Sequence, residues 1–500
     1  MIVRGDTIGS GRTEVADVVV VGTGAGGAPV AKELAEGGLR VVMVEEGDHH
    51  DPASLTARPR DMLPRLYRDA GQVATVGDPP IVLPLGRAVG GTTLINSGTC
   101  FRTPPRVLDR WRAEHGLDLD LDDAFARVEA ELNVSEVPAQ LAGRNAAVVR
   151  RGAEALGVSG GFLRRNVRGC VGSGVCAYGC PAGAKQHVGA TYVPKAWAAG
   201  ARTFTGARVD RVLRDRRTGA AAGVAARTAG GGRLTVRAPL VILAAGTIHT
   251  PVLLARNGLG GASGQLGRNL SIHPATAARV RFDEEISLWD GVPQSYFVDE
   301  LAGDGIMLEG IAGPPDYLAM SIPRSGEAHR ELMLDARRLA QFGVMVSDTA
   351  RGRVRRLLGR PVIRYDLHPD DARRFRDGLE LLARIWFAAG AREVVVPVDG
   401  VPALRDGDTA PLRERRVRPR DLTLMAFHPL GTARAGADPA RSVVDDRLQV
   451  HGVAGLHVCD GSVVPSSLGV NPQITIMALS LRLADHVLQG QPVATVRSGA

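Results

Sequence analysis

The chain has 500 residues, of which 44% are hydrophobic and 23% are charged, a composition typical of a folded protein and not of a disordered one. This length predicts two domains, or one large domain with insertions. No apolar run reaches the roughly 18 residues that a membrane helix needs, and residues 1–17 lack the apolar segment of a secretory signal. Five cysteines cannot form a disulfide framework and indicate a reducing compartment. We therefore expect a cytoplasmic protein without a membrane span.

The net charge of +8 comes almost entirely from arginine, because only three of the 61 basic residues are lysine. These arginines are spread over the whole chain, whereas a nucleic-acid-binding protein concentrates its charge in a patch. The densest runs lie at 351–360 and 413–420, and neither contains an aromatic residue. We therefore predict no nucleic-acid partner, and a weak preference for anionic surfaces stays open.

The first 45 residues contain the pattern of a dinucleotide-binding unit. Residues 18–21 form an unbroken apolar run, typical of a strand buried in a parallel sheet, and residues 22–27 follow as a glycine-rich turn. Apolar residues then recur with helical spacing over 28–36, and a second apolar strand over 39–44 ends at Glu45. This order of strand, glycine turn, helix, strand and acid predicts a site for a dinucleotide.

Each marked residue of this unit has a physical role. Gly22 permits the tight turn, Gly24 lets the backbone approach a pyrophosphate, and Gly27 lets the helix pack closely on the strand. The start of the helix offers free N–H groups to the phosphates. Glu45 is placed to accept hydrogen bonds from both ribose hydroxyl groups. The pattern does not say which dinucleotide binds.

Further segments resemble the signatures of one enzyme family, glucose-methanol-choline (GMC) flavoenzymes, in the right order along the chain. Residues 329–400 and a cysteine-rich segment at 169–183 also resemble one branch, the long-chain alcohol oxidases. The family motifs are matched by Gly86–Gly98, by Gly246–Gly260 with Asn257 where serine is usual, by the histidine motif Phe427–Arg434, by Asp460–Ser462 and by Asn471–Thr475.

The resemblance implies an α/β fold, in which a Rossmann-like FAD-binding domain is interleaved with an α+β substrate domain whose antiparallel sheet covers the flavin. The FAD-binding domain is expected to gather residues 1–48, 84–104, 190–280 and 425–500. The substrate-binding domain is expected to gather residues 105–189 and 281–424, and segment 49–83 is interpreted as a loop excursion.

The resemblance also implies oxidation of an alcohol to an aldehyde or ketone, with hydride transfer to the flavin. His428 is the expected catalytic base, since a histidine titrates near working pH. Asn471 is its expected catalytic partner and would hold the substrate hydroxyl group. Asn471 followed by Pro472 is also an ordinary helix start, and both readings can hold together.

The other expected FAD contacts follow from the matching family positions. Ile95 stands where some members attach their flavin through a histidine, so we expect FAD to be bound without a covalent bond. The expected contacts are Gly22, Gly24 and Gly27 at the pyrophosphate, Glu45 at the adenosine ribose, Arg87, Gly90, Gly91, Thr92 and Asn96 along the flavin, Val209 at the adenine, Asp460 and Gly461 at the ribityl chain or pyrophosphate, and Pro472 and Thr475 at the flavin ring edge.

Three further features allow more than one interpretation. Cys170, Cys176 and Cys180 have no obvious fourth ligand nearby except His187, so buried thiols are favoured over a metal site or a disulfide, and no metal is predicted. Glu309 could bind an amine of a substrate, although a plain structural acid is the commoner reading. His273 is interpreted as structural.

The substrate stays open. A primary alcohol is the leading hypothesis, and the branch resemblance suggests a long-chain one, with oxygen or another acceptor reoxidising the flavin. The same chemistry on a sugar or aminosugar hydroxyl is the first alternative, because acids interrupt residues 281–345. A hydroxynitrile lyase in which the flavin is structural is the second, and a non-enzymatic or NAD-binding Rossmann protein is disfavoured by the motifs after residue 86.

Overall fold

The computed structural model describes residues 1–490 apart from residues 323 and 350. Helices and strands are mixed along the chain, and its larger sheets surround two main hydrophobic cores. The last ten positions of the predicted segment 425–500 lie outside the described residues. Within these limits no helix combines the length and the apolar character that crossing a membrane requires.

A sheet of six parallel strands carries the predicted dinucleotide turn. Its central strands are buried throughout, as their unbroken apolar sequences predict. The carboxyl ends of parallel strands meet at one edge of the sheet, so the turns that follow them come together there. In spatial order the strands are Ile2–Arg4, Arg202–Thr205, Val41–Val44, Val18–Val21, Leu240–Leu243 and Leu456–Val458.

Two helices begin at this edge and are joined close to their starts. Helix Gly27–Glu36 packs against helix Gln473–Gln489. The Ser480 hydroxyl group accepts a hydrogen bond from the Val30 N–H at 2.9 Å and donates one to the Gly26 carbonyl at 2.6 Å. This buried link fixes the glycine turn relative to the C-terminal helix.

A second large sheet is antiparallel throughout and faces the turns of the first across a cavity. Helix Pro369–Ala388 packs on this sheet so closely that a Cβ on Gly378 would lie 2.6 Å from Val344 Cγ1. In spatial order the strands are Leu404–Arg405, Glu393–Val395, Pro274–Arg281, Leu339–Val346, Ile306–Gly310, Tyr296–Val298 and Gly160–Phe162, with Met425–Ala426 paired to Pro274–Arg281.

A smaller four-stranded sheet flanks the parallel sheet and brings Val209 to the cavity. Two short antiparallel pairs complete the strands of the described chain. The four-stranded sheet has the order Gly11–Val15, Arg233–Arg237, Ala221–Thr228 and Ala207–Arg214, and the pairs are Val134–Glu136 with Arg164–Asn166 and Arg353–Leu357 with Arg360–Arg364.

The remaining helices connect these sheets. The segment 49–83, expected as a loop, contains helix Pro59–Leu66, which starts on a proline as helices readily do. The other helices are Pro105–His115, Asp122–Glu131, Gly143–Leu156, Tyr192–Ala198, Thr250–Arg256, Pro315–Ser321, Gly326–Leu334 and Ala410–Arg413.

The two hydrophobic cores bear on the expected division into domains. The first core covers the parallel sheet and also takes in Trp111 and Phe125 from helices Pro105–His115 and Asp122–Glu131. The second core fills the space between the antiparallel sheet and helices Gly143–Leu156 and Pro369–Ala388. Helices 105–131 thus share their core with the parallel sheet, while the domain boundaries themselves stay a prediction.

Candidate active site

In the first glycine turn, Gly24 is the glycine whose backbone is accessible from the cavity. A Cβ on Gly22, whose φ is 98°, would lie 2.2 Å from the Ala244 carbonyl oxygen, and one on Gly27 would lie 2.0 Å from the Gly22 carbonyl oxygen. Both glycines are therefore required by packing. A Cβ on Gly24 would meet only the Gly91 Cα, at 3.8 Å, so Gly24 exposes its backbone to a ligand.

The second glycine segment meets the first across the cavity. Gly90 and Gly91 have φ values of 95° and 53°, and a Cβ on Gly91 would lie 2.9 Å from the Gly24 Cα. Segments that are far apart in the sequence thus form one cradle of bare backbone. Such a cradle suits a flat, phosphate-containing group that approaches the main chain closely.

Glu45 lies at the end of its strand, lines the cavity and is buried. Its Oε2 accepts from the Thr23 N–H at 3.0 Å and the Thr23 hydroxyl group at 2.8 Å, and its Oε1 accepts from the Gly47 N–H at 2.8 Å. Burial raises the pKa of this carboxyl group. The carboxylate therefore fixes the turn itself, and its remaining lone pairs are available to a ribose.

Asp460 joins the turns of two neighbouring strands. Its Oδ2 accepts from the Gly246 N–H at 2.9 Å and the Thr250 hydroxyl group at 2.5 Å, and its Oδ1 accepts from the Ser462 N–H at 2.8 Å. We call Gly22, Gly24, Glu45, Gly91 and Asp460 the cofactor wall. Its carboxylate oxygens all have protein donors.

Most residues expected at the site line one cavity of about 550 Å³. Four expected FAD contacts, Gly27, Arg87, Gly90 and Thr475, lie behind its wall, and the Thr475 hydroxyl group is 2.9 Å from that of Thr103. Those in the wall are Gly22, Gly24, Glu45, Gly91, Thr92, Asn96, Val209, Asp460, Gly461 and Pro472, together with His428 and Asn471.

His428 is held at the cavity by a second histidine. Its Nδ1 lies 3.2 Å from Nδ1 of His273, and its Nε2 lies 3.3 Å from Nδ2 of Asn471. His273 is fully buried, and its Nε2 accepts from the N–H groups of Leu468 and Gly469 at 2.8 and 3.2 Å. Burial lowers the pKa of His428 to about 4 and that of His273 well below its usual range. His273 thus contacts the predicted catalytic histidine directly.

Glu309 is the site residue for which the sequence favoured a structural role. It lies on strand Ile306–Gly310, lines the cavity and is 6% exposed. Its Oε2 accepts from Nε2 of Gln294 at 2.8 Å and from Nδ2 of Asn471 at 3.3 Å. Its Oε1 is buried without a partner in the described chain, and burial raises the pKa of the carboxyl group to about 7. We call His428, Asn471, Glu309 and Gln294 the reaction end.

The acids that interrupt residues 281–345 do not belong to this site. Asp283, Glu284 and Glu285 are exposed and pair with Arg392, Arg151 and Arg337. None of the acids from 283 to 304 lines the cavity. They form a solvated face, so Glu309 is the acid of that region that a bound substrate would meet.

The cysteine segment lies against the second glycine turn and supports it through Arg165 and Lys185. The five cysteines are free, and Cys176 accepts from Nη2 of Arg165 at 3.2 Å. Arg165 and Lys185 also donate to the carbonyl groups of Ser97 and Asn96 beside the cavity. In the described residues no three metal-ligating side chains are grouped together, and the absence of a metal stays a prediction.

The site fits FAD by the chemistry of its walls. The cradle of bare glycine backbone suits a pyrophosphate, Glu45 suits a ribose, and the long cavity leads from them to the reaction end. Ile95, 5% exposed, also lines the cavity and offers no atom for a covalent bond to flavin. Non-covalent attachment stays a prediction, which release of the yellow chromophore on acid precipitation would test.

Known proteins are similar to this chain in sequence and in fold. An uncharacterized GMC-type oxidoreductase of Mycobacterium tuberculosis is 44% identical over 479 residues, which cover 95% of this chain and 76% of the relative. A long-chain-alcohol oxidase of Arabidopsis thaliana is 29% identical over 508 residues, which cover 94% of this chain and 67% of the relative. The crystal structure of pyridoxine 4-oxidase from Mesorbium loti aligns with a TM-score of 0.74 at 20% identity, over 95% of this chain and 99% of that one.

Two family profiles, both described as GMC oxidoreductase, match residues 63–275 and 348–480. Together with the relative that is 44% identical over 95% of the chain, they confirm the resemblance and the α/β fold class inferred from the motifs. The chain therefore belongs to the GMC oxidoreductase family and is an FAD-dependent oxidoreductase.

Proposed function

We propose that the chain oxidises the CH–OH group of an apolar primary alcohol to an aldehyde. The observation that carries this proposal is the meeting of His428, Asn471 and Glu309 at one end of the cavity that both glycine turns line. FAD held by the cofactor wall would supply the acceptor for the hydride that leaves the alcohol carbon. The chain's own residues orient the hydroxyl group and take up its proton.

The ring nitrogen on which His273 carries its proton determines whether His428 can act as a base or as a hydrogen-bond donor. Because two backbone N–H groups donate to His273 Nε2, that atom presents a lone pair, and the neutral ring carries its proton on Nδ1. His273 therefore donates to Nδ1 of His428 across 3.2 Å. The neutral His428 ring then holds its own proton on Nε2, the atom that lies beside Asn471.

This arrangement changes the role expected for His428. An Nε2 atom that already carries a proton cannot act as a base, because its lone pair is used. His428 Nε2–H and the Asn471 amide N–H are two donors at 3.3 Å from each other. An alcohol oxygen that lies to one side of this pair, within hydrogen-bond distance of each nitrogen, accepts from both, and these bonds strengthen as negative charge develops on that oxygen. We therefore propose His428 as a donor that orients the alcohol, in place of the general base.

Glu309 is the proposed proton acceptor. The amides of Gln294 and Asn471 both donate to its Oε2, which suits a carboxylate, and Oε1 has no partner in the described chain. A pKa of about 7 matches the requirement that a base be unprotonated in part of the molecules and still attract a proton near neutral pH. The hydroxyl proton then moves to Glu309 as the hydride leaves the carbon.

The walls of the cavity favour an apolar alcohol. Tyr67, Ile311, Tyr317 and Met320 line it, and the acids from 283 to 304 lie elsewhere. The Arabidopsis relative is named a long-chain-alcohol oxidase, which agrees with this choice. A cationic aminosugar would have Glu309 as its acidic contact from that region. Because Glu309 is the proposed acceptor of the hydroxyl proton, it would not be free to bind the amine.

Anaerobic mixing of the FAD-loaded enzyme with primary alcohols of increasing chain length tests the proposal. We expect the flavin absorption to bleach, with a rate that rises with chain length until the cavity is filled. Faster bleaching by an aminosugar would favour the polar alternative. Absence of bleaching by every alcohol, together with release of cyanide from a hydroxynitrile, would favour the lyase.

A further inference from the structure

The hairpin formed by Arg353–Leu357 and Arg360–Arg364 ends in a turn that folding alone does not explain. Leu357 pairs with Arg360, so Leu358 and Gly359 form a two-residue turn, with φ values of 47° and 80°. Turns with positive φ at both residues favour asparagine or glycine at the first position. Leu358 adopts this conformation although it is 95% exposed, and Leu357 beside it is 60% exposed. Neither turn preference nor burial accounts for these leucines.

The same hairpin carries positive charge without counter-ions. Arg353, Arg355, Arg356 and Arg360 are exposed, and none of them forms an ion pair with any described residue. Arg364 at the base of the hairpin, by contrast, pairs with Asp366 at 3.1 Å. The hairpin therefore presents two leucines at its tip and four uncompensated arginines behind them.

The hairpin tip also lies at the cavity. Gly359, directly after Leu358, contributes to the cavity wall, as does Met320, which is 65% exposed. An apolar molecule that leaves a surface in contact with the tip would thus meet residues that line the cavity. Apolar side chains at a tip with arginines behind them match the order of the layers in a bilayer, where charged head groups cover the hydrocarbon.

We propose that hairpin 353–364 and Met320 form a docking surface for an anionic lipid bilayer. The arginines contact the lipid phosphate groups, and Leu357 and Leu358 enter the boundary between head groups and acyl chains. This inference rests on exposure, charge and position, and it does not depend on the residues at the reaction end. A failure of lipid binding would not contradict the proposed alcohol oxidation. A failure to oxidise alcohols would likewise not contradict the proposed lipid binding.

Sedimentation of the FAD-loaded full chain with vesicles tests the proposal. We expect the protein to sediment with phosphatidylglycerol-rich vesicles, to stay in solution with pure phosphatidylcholine vesicles, and to be released by salt. Sedimentation with both kinds of vesicle to the same extent, or with neither, would overturn the proposal.

Two variants separate the apolar and the charged contributions. Leu358→Asn removes the more exposed of the two tip leucines and suits the positive φ, so it should keep or raise the melting temperature while binding falls several-fold. Arg355→Gln with Arg356→Gln should weaken binding by roughly fivefold for each arginine. Arg216→Gln with Arg217→Gln, in the exposed turn after strand Ala207–Arg214, is the matched control that should bind as wild type.

Other occupants of the surface give different results. If the hairpin binds nucleic acid, duplex DNA is retained by wild type and by Leu358→Asn but lost in the arginine variant. If it binds a second copy of the chain, Leu358→Asn lowers the molecular mass measured by light scattering without lipid. Either result, or equal vesicle binding by wild type and both variants, would overturn the lipid proposal.

Discussion

Glu45 and Glu309 are both buried glutamates in the wall of one cavity, yet their hydrogen bonding differs. Both oxygens of Glu45 accept from Thr23 and Gly47, whereas Glu309 Oε1 has no partner in the described chain. Burial raises the pKa of both carboxyl groups. A saturated carboxylate fixes the shape of its surroundings, while an unsaturated one is left to interact with a ligand.

The same difference in hydrogen bonding separates the other residues of the cofactor wall from those of the reaction end. In the cofactor wall, Asp460 has protein donors on both oxygens. At the reaction end, the buried Oδ1 of Asn471 has no partner among the described residues, and Nδ2 lies 3.3 Å from Nε2 of His428. Changes at the reaction end should therefore alter the rate of flavin reduction, and changes in the cofactor wall should alter FAD retention.

The largest effect is expected for Glu309→Gln. Removing the proposed proton acceptor should slow flavin reduction about a thousandfold, within the 10²–10⁴ typical of general acid–base catalysis. FAD content should stay at the wild-type level, and the shape of the side chain is kept. Stopped-flow reduction under anaerobic conditions measures the rate, and a wild-type rate in this variant would exclude Glu309 as the acceptor.

The pH dependence sharpens the same prediction. If Glu309 is the proton acceptor, as proposed, its carboxylate form is the active one, and burial raises its pKa to about 7. The rate of flavin reduction should therefore fall as the pH drops through about 7 and level off above it. In Glu309→Gln the fall in rate below about pH 7 should disappear. If the fall persists in this variant, another group is responsible for the titration.

His428→Ala should cost about a hundredfold in flavin reduction, with FAD still bound. His428→Gln is the matched variant, because its amide can donate a hydrogen bond but cannot act as a base. If His428 is a donor, the glutamine variant should recover much of the lost rate. Equal losses in both variants would restore the role of base to His428.

His273 offers an isosteric test of proton direction. Asparagine and aspartate both tolerate its φ of 46°, but asparagine can donate to His428 Nδ1, whereas an ionised aspartate, measured well above neutral pH, can only accept from it. We expect His273→Asn to reduce the flavin about tenfold faster than His273→Asp. Nitrogen-15 spectra of histidine-labelled wild-type enzyme provide an independent measurement, and His428 should show a protonated Nε2.

The smallest effect on rate is expected in the cofactor wall. Glu45→Ala removes charge-assisted hydrogen bonds, each worth about 1.5–3 kcal/mol, so FAD retention should weaken while the FAD-loaded fraction is reduced by alcohol at nearly the wild-type rate. Glu45→Gln is the matched control and should retain more FAD. FAD content after gel filtration checks this, and unchanged occupancy in Glu45→Ala would contradict a role at the ribose.

The pattern of residues that are neighbours in sequence was enough to predict much of the fold and part of the site. The strand, turn and helix at 18–36 and the strand at 41–44 were predictable, because buried parallel strands and glycine turns follow from residues that are neighbours in sequence. Helix Pro59–Leu66 was missed, because five prolines and many polar residues within 49–83 resemble a loop. Its first-position proline was a signal that could have indicated a helix.

The sequence by itself determined the family, the cofactor and the pairing of His428 with Asn471, because these depend on compact motifs. Only the tertiary structure decided that Glu309 lies 3.3 Å from Asn471 Nδ2 and that His273 Nδ1 lies 3.2 Å from His428 Nδ1. Glu309 comes from the middle of an apolar strand, and the acceptor role of His273 depends on two backbone N–H groups almost two hundred residues away. Burial and hydrogen-bond direction are properties of the folded surroundings, and a residue's neighbours in sequence do not specify them.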